Sequence, residues 1–311
     1  MLITALVPVY NEEESLEKLY PRLKSALESL KMGYEIIFVD DGSSDSTLDI
    51  LKKLAAKDKS IRIFSFRKHQ GKAEALTYGF QRAKGDYVVT LDADLQDRPE
   101  EIQNLLNKSK EGFELVCGWR KNRKDSIIMK IPSKFFNFVM SAFWGVHLHD
   151  YNCGLKLYTK EAAKVLNLYG GMHRFIPLLV SEKGFEVTEL AVVHEPRKFG
   201  KSKYGFSKVF KDIPDMFTIL FLTKYAKRPL HFFGFAGGVL SAIGFFILFY
   251  LLIVKILGES IGTRPLLTFG VLLVLVGLQI LFTGLIADMI LSIAVKNEGN
   301  RMVEELKYST E

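Results

Sequence analysis

From residue 1 to about 118 the chain alternates between short apolar runs and longer amphipathic stretches. Runs rich in β-branched and aromatic residues predict strands, and the stretches of roughly 10 to 18 residues between them predict helices. The predicted strands are Ile3–Val9, Tyr34–Val39, Ile61–Phe66, Tyr87–Leu91 and Phe113–Gly118. This alternation indicates an α/β fold with a mainly parallel sheet and helices on both faces. In such folds, ligands bind beyond the carboxyl ends of the strands.

Two long apolar runs dominate the C-terminal part of the chain. Residues 230–254 and 266–290 each exceed the roughly 20 residues with which a helix crosses a hydrocarbon core. The short polar connection between them, KILGESIGTR, predicts a transmembrane hairpin. Helices buried in a large soluble core are the alternative interpretation. The predicted organisation is an α/β domain over 1–203, interfacial amphipathic helices over 204–228, the hairpin over 229–295 and a tail over 296–311.

Basic residues are more frequent outside this hairpin than in its connection. Because cytoplasmic segments carry the excess of Lys and Arg, the α/β domain, the tail and both termini are predicted to lie in the cytoplasm. Two basic, aromatic-rich stretches, Ser126–Val146 and Phe206–Tyr225, suit helices lying on a membrane surface. Core packing is an equally good interpretation of the first stretch. Glycines in the apolar runs permit close helix approach, which leaves a homo-oligomer open.

Composition narrows the choice of partners. The net charge of +7 is compatible with nucleic acid, anionic lipid or phosphate-bearing substrates. Lipid headgroups are favoured and nucleic acid is not expected, because basic residues gather just before the first apolar run. These residues are Lys208, Lys211, Lys224, Lys227 and Arg228. Two cysteines without a CxxC pair suggest neither a disulfide framework nor a thiolate zinc site.

Polar clusters follow the first two predicted strands. In PVYNEEES, Asn11 is predicted to cap the next helix, with Glu14 completing a capping box. That leaves Pro8, Tyr10 and Glu12 at the strand end, where a ring and a carboxylate can contact a base and a ribose. In VDDGSSDST, Asp45 and Ser46 are candidate helix caps. Helix capping does not explain the adjacent acids Asp40 and Asp41, which suit a hydrogen bond to a base or ribose.

The fourth predicted strand ends in TLDADLQD, the strongest local signal in the sequence. On extended backbone, Asp92 and Asp94 project to the same side. Two carboxylates so placed favour a hard divalent cation that keeps positions open for phosphate, and Gln96 can add an amide oxygen. No GxGxxG or GxxxxGK[ST] segment is present, so a nicotinamide fingerprint and a P-loop are excluded.

Taken in order, PVYNEEE, VDDGSSDST and LDADLQD resemble glycosyltransferase family 2 enzymes of the GT-A fold. The later segments HDYNCGLKLY and RKFGKSKYGF resemble the branch that glycosylates polyprenyl phosphates. The resemblance covers essentially the whole chain. It implies a GT-A-type, Rossmann-like sheet, interfacial helices and a C-terminal transmembrane hairpin in the cytoplasmic membrane.

The family pattern implies a role for each matching residue. It assigns the nucleoside, uridine in preference to guanosine, to Pro8, Tyr10, Glu12 and Asp41, with Asp92 beside them. It assigns Mg²⁺ or Mn²⁺ to Asp92, Asp94 and Gln96. It assigns the donor diphosphate to Arg197, Ser202 and Lys203, and the acceptor phosphate to Arg120 and Lys134. Lys134 is the weakest match, because lysine lacks the bidentate fork of arginine.

The expected reaction is an inverting, metal-dependent transfer of a sugar from a nucleotide diphosphate donor, such as UDP-glucose, to polyprenyl phosphate. A phosphate acceptor is largely dianionic near neutral pH and needs no strong base. Asp94 is the expected catalytic metal ligand, and Asp150 positions sugar or acceptor; a capped turn is the alternative role for Asp150. Other sugars, including 4-amino-arabinose and mannose, remain open. A processive polysaccharide synthase is disfavoured, since neither Trp119 nor Trp144 belongs to a QxxRW motif.

Overall fold

The computed structural model describes residues 1–121, 145–195, 218, 221, 225, 228–262 and 265–308, with side chains of the last helix described as far as Leu291. The chain divides into two compact units, Met1–Asp215 and Met216–Glu311. Most of both basic, aromatic-rich stretches lies outside the described residues, as do Lys134, Arg197, Ser202 and Lys203.

The first unit is built on a seven-stranded sheet. All five predicted strands are confirmed, and two short strands were missed. The strands are β1 Leu2–Val9, β2 Gly33–Asp40, β3 Ile61–Ser65, β4 Tyr87–Thr90, β5 Leu115–Trp119, β6 Lys156–Thr159 and β7 Val187–Ala191. Their order across the sheet is β3-β2-β1-β4-β6-β5-β7. Only β6 runs antiparallel to its neighbours, so the sheet is mainly parallel, as predicted.

This topology determines where the loops meet. The carboxyl ends of the six co-directed strands lie at one edge of the sheet, and β6 begins at that same edge because it is antiparallel. Register pairs Val9 with Asp40 and Leu6 with Thr90, so the segments after β1, β2 and β4 leave the sheet side by side. The ligand-binding edge of the α/β sheet therefore receives the polar segments that follow β1, β2 and β4.

Short helices connect the strands. They are α1 Glu13–Ser29, α2 Thr47–Lys57, α3 Lys72–Arg82, α4 Ile102–Ser109, α5 Lys160–Lys164 and α6 Ile176–Ser181, with 3₁₀ turns at Pro99–Glu101 and Met172–Arg174. Leu16, Leu19, Leu23 and Leu27 recur at helical spacing on α1 and are fully buried against the sheet. The core is therefore a helix-on-sheet layer beneath the ligand-binding edge.

The predicted capping box on α1 is wrong. The helix begins at Glu13, and Asn11 takes a left-handed φ of 53° instead of a cap conformation. Its side-chain oxygen accepts a hydrogen bond from the backbone N–H of Ser44 at 2.8 Å, which ties the β1 loop to the β2 loop. Asparagine tolerates this backbone region better than most residues, since its short side chain can hydrogen-bond locally. Asn11 therefore joins two loops of the ligand-binding edge.

The second unit contains two long apolar helices, α7 Pro229–Ile256 and α8 Pro265–Tyr308. Pro229–Ile256 and Pro265–Leu291 are long and apolar enough to cross a membrane, and only 17% of the most apolar window of each is buried. The helices of a soluble core would be mostly buried. The backbone of α8 continues as helix to Tyr308, so most of the predicted tail extends this helix.

Glycines allow α7 and α8 to approach closely. Gly237 and Gly244 on α7 face Gly277 and Gly270 on α8, with seven-residue spacing on each helix. A Cβ added at Gly277 would lie 2.6 Å from the carbonyl oxygen of Gly237. Small residues at such positions let backbones pack together in an apolar solvent. The glycines that the sequence predicted to permit close helix approach therefore pack α7 against α8 within one chain.

Candidate active site

The base end of the site lies where β1 and β2 terminate. Tyr10 stacks on His69, with ring centroids 4.2 Å apart and an interplanar angle of 26°. The imidazole Nδ1 of His69 lies 2.8 Å from a carboxylate oxygen of Asp41. The same carboxylate accepts hydrogen bonds from the backbone N–H groups of Gln70 and Gly71. The structure thus brings together two predicted nucleoside-binding residues and a histidine that sequence reasoning missed.

The remaining residues at this end hold the loops in place. Buried Asp40 accepts hydrogen bonds from the N–H of Ser43 and the hydroxyl of Ser65, so it is structural. The backbone N–H of Glu12 donates to Thr47, and its carboxylate accepts from the Ser15 hydroxyl at 3.0 Å. Pro8 lies in β1, paired in register with Val39 and partly buried.

Asp45, rather than Ser46, caps the start of α2 with its side chain. Its carboxylate accepts a hydrogen bond from the N–H of Thr47 at 3.0 Å. The side chain of Ser46 makes no capping hydrogen bond, although Ser46 occupies the cap position. Of the two predicted caps, Asp45 alone provides an oxygen to the helix.

The acidic segment after β4 is a turn, not the extended backbone predicted from the sequence. Ala93 and Asp94 lie in the turn, and Leu95 adopts a left-handed φ of 61°. The Asp94 carboxylate accepts the backbone N–H of Gln96 at 3.2 Å. The side-chain amide of Gln96 donates to the carbonyl of Glu195 at 3.4 Å. The reversal comes from this local hydrogen bonding, which is typical of aspartate in turns.

A third acid, Asp97, belongs to this turn and was missed. Its buried carboxylate accepts the backbone N–H of Asp92 at 3.3 Å. Burial, followed by the charges of Asp92 and Asp94, raises the pKa of Asp97 to about 7. A Cβ added at Gly154 would lie 2.7 Å from carboxylate oxygens of both Asp92 and Asp97, so only glycine fits against the acidic turn.

Two lysines that sequence reasoning also missed lie close to Asp92. Lys72 is the first residue of α3, and its ammonium forms an ion pair with the carboxylate of Asp92. Burial by itself would raise the pKa of Asp92, but the charge and hydrogen bond of Lys72 outweigh it and keep that pKa below its usual range. Lys156 is buried nearby and donates to the carbonyl of Cys153. Burial, then the charges of Lys72 and Arg174, lower the pKa of His173 to about 3, so its imidazole is neutral.

The acidic turn fits a divalent metal that takes its other ligands from a substrate. Among the described residues, no group of three or more His, Cys, Asp or Glu side chains is gathered as a metal site. Asp92 and Asp94 nevertheless supply hard oxygen donors on one turn. Mg²⁺ characteristically binds through one or two carboxylates together with substrate phosphates. The residues present therefore fit a phosphate-bound metal better than a permanent structural ion.

A largely buried ion pair lies just after β5. Arg120 donates from Nε and Nη2 to the two carboxylate oxygens of Asp150, at 2.6 and 2.9 Å. Asp150 also accepts the N–H of Asn152, which gives it the turn-capping contact that was its alternative role. Burial alone would raise the pKa of Asp150, but Arg120 outweighs burial and holds that pKa below its usual range. Arg120 thus fixes the carboxylate predicted to position sugar or acceptor.

Replacing Arg120 by methionine is expected to lower the free energy of unfolding by roughly 3–5 kcal/mol, because the buried Asp150 carboxylate loses its partner. Denaturant unfolding of the protein in detergent, followed by tryptophan fluorescence, measures the change. Arg22→Met is the matched control. Arg22 pairs with the exposed Glu100 and more weakly with Glu195, which keeps Arg98 as a partner, so the loss of Arg22 should cost no more than about 1 kcal/mol. Equal costs for the two variants would contradict a stabilising role for the Arg120–Asp150 pair.

The same pair predicts a pH dependence. The pKa of Asp150 is lower in the folded chain than in the unfolded one. Its stabilisation is therefore present above the unfolded carboxyl value of about 4 and is lost as pH falls through the folded value. Unfolding midpoints should drop more steeply below about pH 4 in the wild type than in Asp150→Asn, whose amide does not titrate there.

The residues that precede Arg120 and Asp150 in the sequence form an aromatic pair. Trp119 stacks on His149 with centroids 4.2 Å apart and an angle of 18°. The backbone N–H of His149 donates to Glu189 of β7 at 2.7 Å, and its imidazole pairs with the same carboxylate. Adjacent residues on two segments thus make adjacent contacts, Trp119 with His149 and Arg120 with Asp150. The predicted acceptor end of the site is a rigid unit.

The mainly parallel sheet, with an acidic turn after β4, is the GT-A fold of glycosyltransferases. The sequence model of the family described as "Glycosyl transferase family 2" matches residues 4–166, so the chain belongs to this family. Within this family it is a polyprenyl-phosphate glycosyltransferase, which confirms the resemblance read from the sequence.

Similar proteins cover nearly the whole chain. A dodecaprenyl-phosphate galacturonate synthase of Rhizobium johnstonii is 40% identical over 93% of this chain and 87% of its own length. An undecaprenyl-phosphate 4-deoxy-4-formamido-L-arabinose transferase of Aeromonas hydrophila is 35% identical over 93% and 88%. The relatives are named for polyprenyl phosphates, which are membrane lipids, and together with the two apolar helices they indicate a membrane protein.

Solved structures agree on the fold. The glucosyl-3-phosphoglycerate synthase of Mycobacterium tuberculosis, solved with Mn²⁺ and UDP-glucose, has a TM-score of 0.53 and 20% identity to this chain. The match covers 70% of this chain and 78% of that one. At this identity the likeness establishes the GT-A fold alone.

Proposed function

We propose that this enzyme transfers a single sugar from a UDP-sugar to polyprenyl phosphate, with inversion, at the cytoplasmic face of the membrane. The observation that carries the proposal is that the acidic turn contacts Gly154, which follows Asp150 of the Arg120–Asp150 pair by four residues. Whole-length relatives that act on polyprenyl phosphates support the acceptor. The basic residues flanking the hairpin support the orientation.

Each end of the site has a separate task in this proposal. Tyr10 and Asp41 hold the base, and Asp92, Asp94 and Gln96 hold a divalent metal. When bound, that metal neutralises charge developing on the leaving diphosphate. Residues Arg197, Ser202 and Lys203 remain the predicted further partners of that diphosphate, and Lys134 a second one for the acceptor.

At the acceptor end, Asp150 orients the reacting groups and Arg120 fixes Asp150. A guanidinium carries five N–H donors, and Nη1 takes no part in the fork, so Arg120 can also donate to the acceptor phosphate. Because that phosphate is already anionic, no group of the protein has to remove a proton from it. Positioning and charge stabilisation then account for the catalysis.

The donor sugar is decided by a panel of labelled nucleotide sugars. UDP-glucose is tested beside UDP-galacturonate and UDP-4-deoxy-4-formamido-L-arabinose, because the relatives are named for the latter two sugars. Membranes containing the enzyme are incubated with each donor and with undecaprenyl phosphate, and the lipid is extracted. One donor should label a lipid that carries one sugar. Label recovered in a polymer would instead support a processive synthase, and unlabelled lipid with every donor would contradict the acceptor assignment.

The stereochemistry of the product tests single displacement. An α-linked donor should give a β-linked sugar phosphate, since the acceptor phosphate attacks from the side opposite the leaving diphosphate. The anomeric proton and phosphorus couplings in NMR spectra of the purified lipid distinguish the two anomers. An α-linked product from an α-linked donor would mean retention, by double displacement or by front-side attack, and would refute the inverting mechanism.

A further inference from the structure

The segment His69–Lys72 joins β3 to α3 and contacts both halves of the donor site. Its first residue contacts Tyr10 and Asp41, and its last residue pairs with Asp92. These contacts are made to the residues that the proposed function assigns to the base and to the metal.

At the base end, His69 has the features by which a pyrimidine would be recognised. It is a flat aromatic ring stacked on Tyr10, and a ring nitrogen faces the Asp41 carboxylate at 2.8 Å. A uracil ring likewise has a π face and a ring N–H that can donate to a carboxylate. Tyr10 and Asp41 cannot make these contacts to a base on the same sides while His69 occupies them.

At the metal end, Lys72 provides the positive charge. Its ammonium contacts the carboxylate of Asp92, one of the two acids proposed to bind the divalent cation. Two cations cannot share one carboxylate oxygen at close range without repulsion. Metal binding through that oxygen therefore requires Lys72 to move, and the cost of breaking its ion pair weakens binding of the metal alone.

The backbone of the segment is fixed, whereas these two side chains are accessible. Asp41 accepts the N–H groups of Gln70 and Gly71, and Gly42 lies against the preceding peptide, where an added Cβ would be 2.8 Å from the backbone nitrogen of His69. In contrast, the side chain of His69 is 55% exposed and that of Lys72 is 30% exposed. Exchange with a ligand can therefore proceed by side-chain rotation.

We propose that His69 and Lys72 occupy the positions of the nucleobase and the metal in the donor-free enzyme, and that nucleotide and metal displace them together. The inference rests on the proposed function, which supplies UDP and a divalent cation as the ligands. After displacement, Lys72 remains close enough to the acidic turn to pair with the donor diphosphate. Metal and nucleotide then bind cooperatively, because the diphosphate offers Lys72 a new anionic partner when the metal takes Asp92.

The test compares Mn²⁺ binding to wild type and Lys72→Met, in detergent micelles, with and without UDP. Electron paramagnetic resonance of free Mn²⁺ gives the dissociation constants without any turnover. The variant should bind Mn²⁺ alone about tenfold more tightly than wild type does, an effect within the roughly 5- to 150-fold range typical of coupled ligands. UDP should strengthen Mn²⁺ binding less in the variant than in wild type. Lys72→Arg keeps the charge and should keep the wild-type coupling.

Lys24→Met is the matched control, because Lys24 also pairs with an aspartate, Asp58 at 2.8 Å, and has a similar exposure of 35%. Unlike Lys72, it lies in the middle of α1 and makes no ion pair with the acidic turn. Lys24→Met should leave both Mn²⁺ constants unchanged. A second variant, His69→Ala, should bind UDP several-fold more tightly in the absence of metal, as measured by equilibrium dialysis. Circular dichroism checks that each variant is folded.

The outcomes separate this inference from the proposed function. Unchanged Mn²⁺ affinity and coupling in Lys72→Met would overturn the displacement of Lys72. Unchanged or weaker UDP binding by His69→Ala would overturn the displacement of His69. Either result leaves UDP and metal as ligands of the wild type. Wild-type protein that binds neither UDP nor Mn²⁺ would instead overturn the proposed donor.

Discussion

Replacing Asp94 by asparagine is expected to lower the rate of sugar transfer by about 100-fold or more, the loss typical of removing one group that stabilises charge in a transition state. The substitution is nearly isosteric. Its side-chain oxygen can still accept the N–H of Gln96, the hydrogen bond that Asp94 makes at 3.2 Å, so the acidic turn should keep its shape. What the variant loses is one negative charge and therefore one strong metal ligand. Transfer to undecaprenyl phosphate in membranes gives the rate.

A control at the opposite edge of the sheet separates charge loss from damage to the fold. Asp86 precedes β4 and accepts the backbone N–H of Leu2 at 2.8 Å, so Asp86→Asn makes the same chemical change away from the site. Asp86→Asn should retain full transfer activity, and both variants should insert into membranes and melt near the wild-type temperature. Full activity in Asp94→Asn would contradict the metal assignment.

The sheet was largely predictable because parallel strands are buried on both faces. Such strands read as continuous apolar runs, which is how β1, β2 and β4 appear in the sequence. The two missed strands lack that signal. The first residue of β6 is Lys156, whose ammonium is buried against a carbonyl, and β7 is only partly buried. Their place in the sheet depends on long-range pairing that no local pattern reports.

The site was predictable where its chemistry is local in sequence. Two aspartates at a strand end identify the acidic turn, but nothing nearby indicates that Leu95 has a left-handed backbone, which leucine rarely adopts. Partners from distant segments were also missed. Lys72 meets Asp92 and Arg120 meets Asp150 only because the sheet order brings their loops to one edge.

Replacing Gly277 by leucine is expected to separate α7 from α8 and to lower the stability of the protein. A Cβ at this position would lie 2.6 Å from the backbone nitrogen of Ser241, and backbone cannot rotate away as a side chain can. Even the alanine variant should cost about 1–3 kcal/mol, the usual penalty for overpacking, and leucine should cost more. The readout is the temperature at which the protein in detergent loses its monodisperse peak in size-exclusion chromatography.

Gly238 provides the matched control, since an added Cβ there meets nothing within 4 Å. Both glycines lie inside a helix, where replacement by alanine gains about 1 kcal/mol of helix propensity. Gly238→Ala should therefore raise the transition temperature or leave it unchanged, whereas Gly277→Ala should lower it, and the difference isolates the packing of the two helices. Equal behaviour of the two alanine variants, together with tolerance of leucine at 277, would mean that α7 and α8 do not pack through their glycines. The close approach would then contribute nothing to stability in an apolar solvent, where helix association depends on such packing.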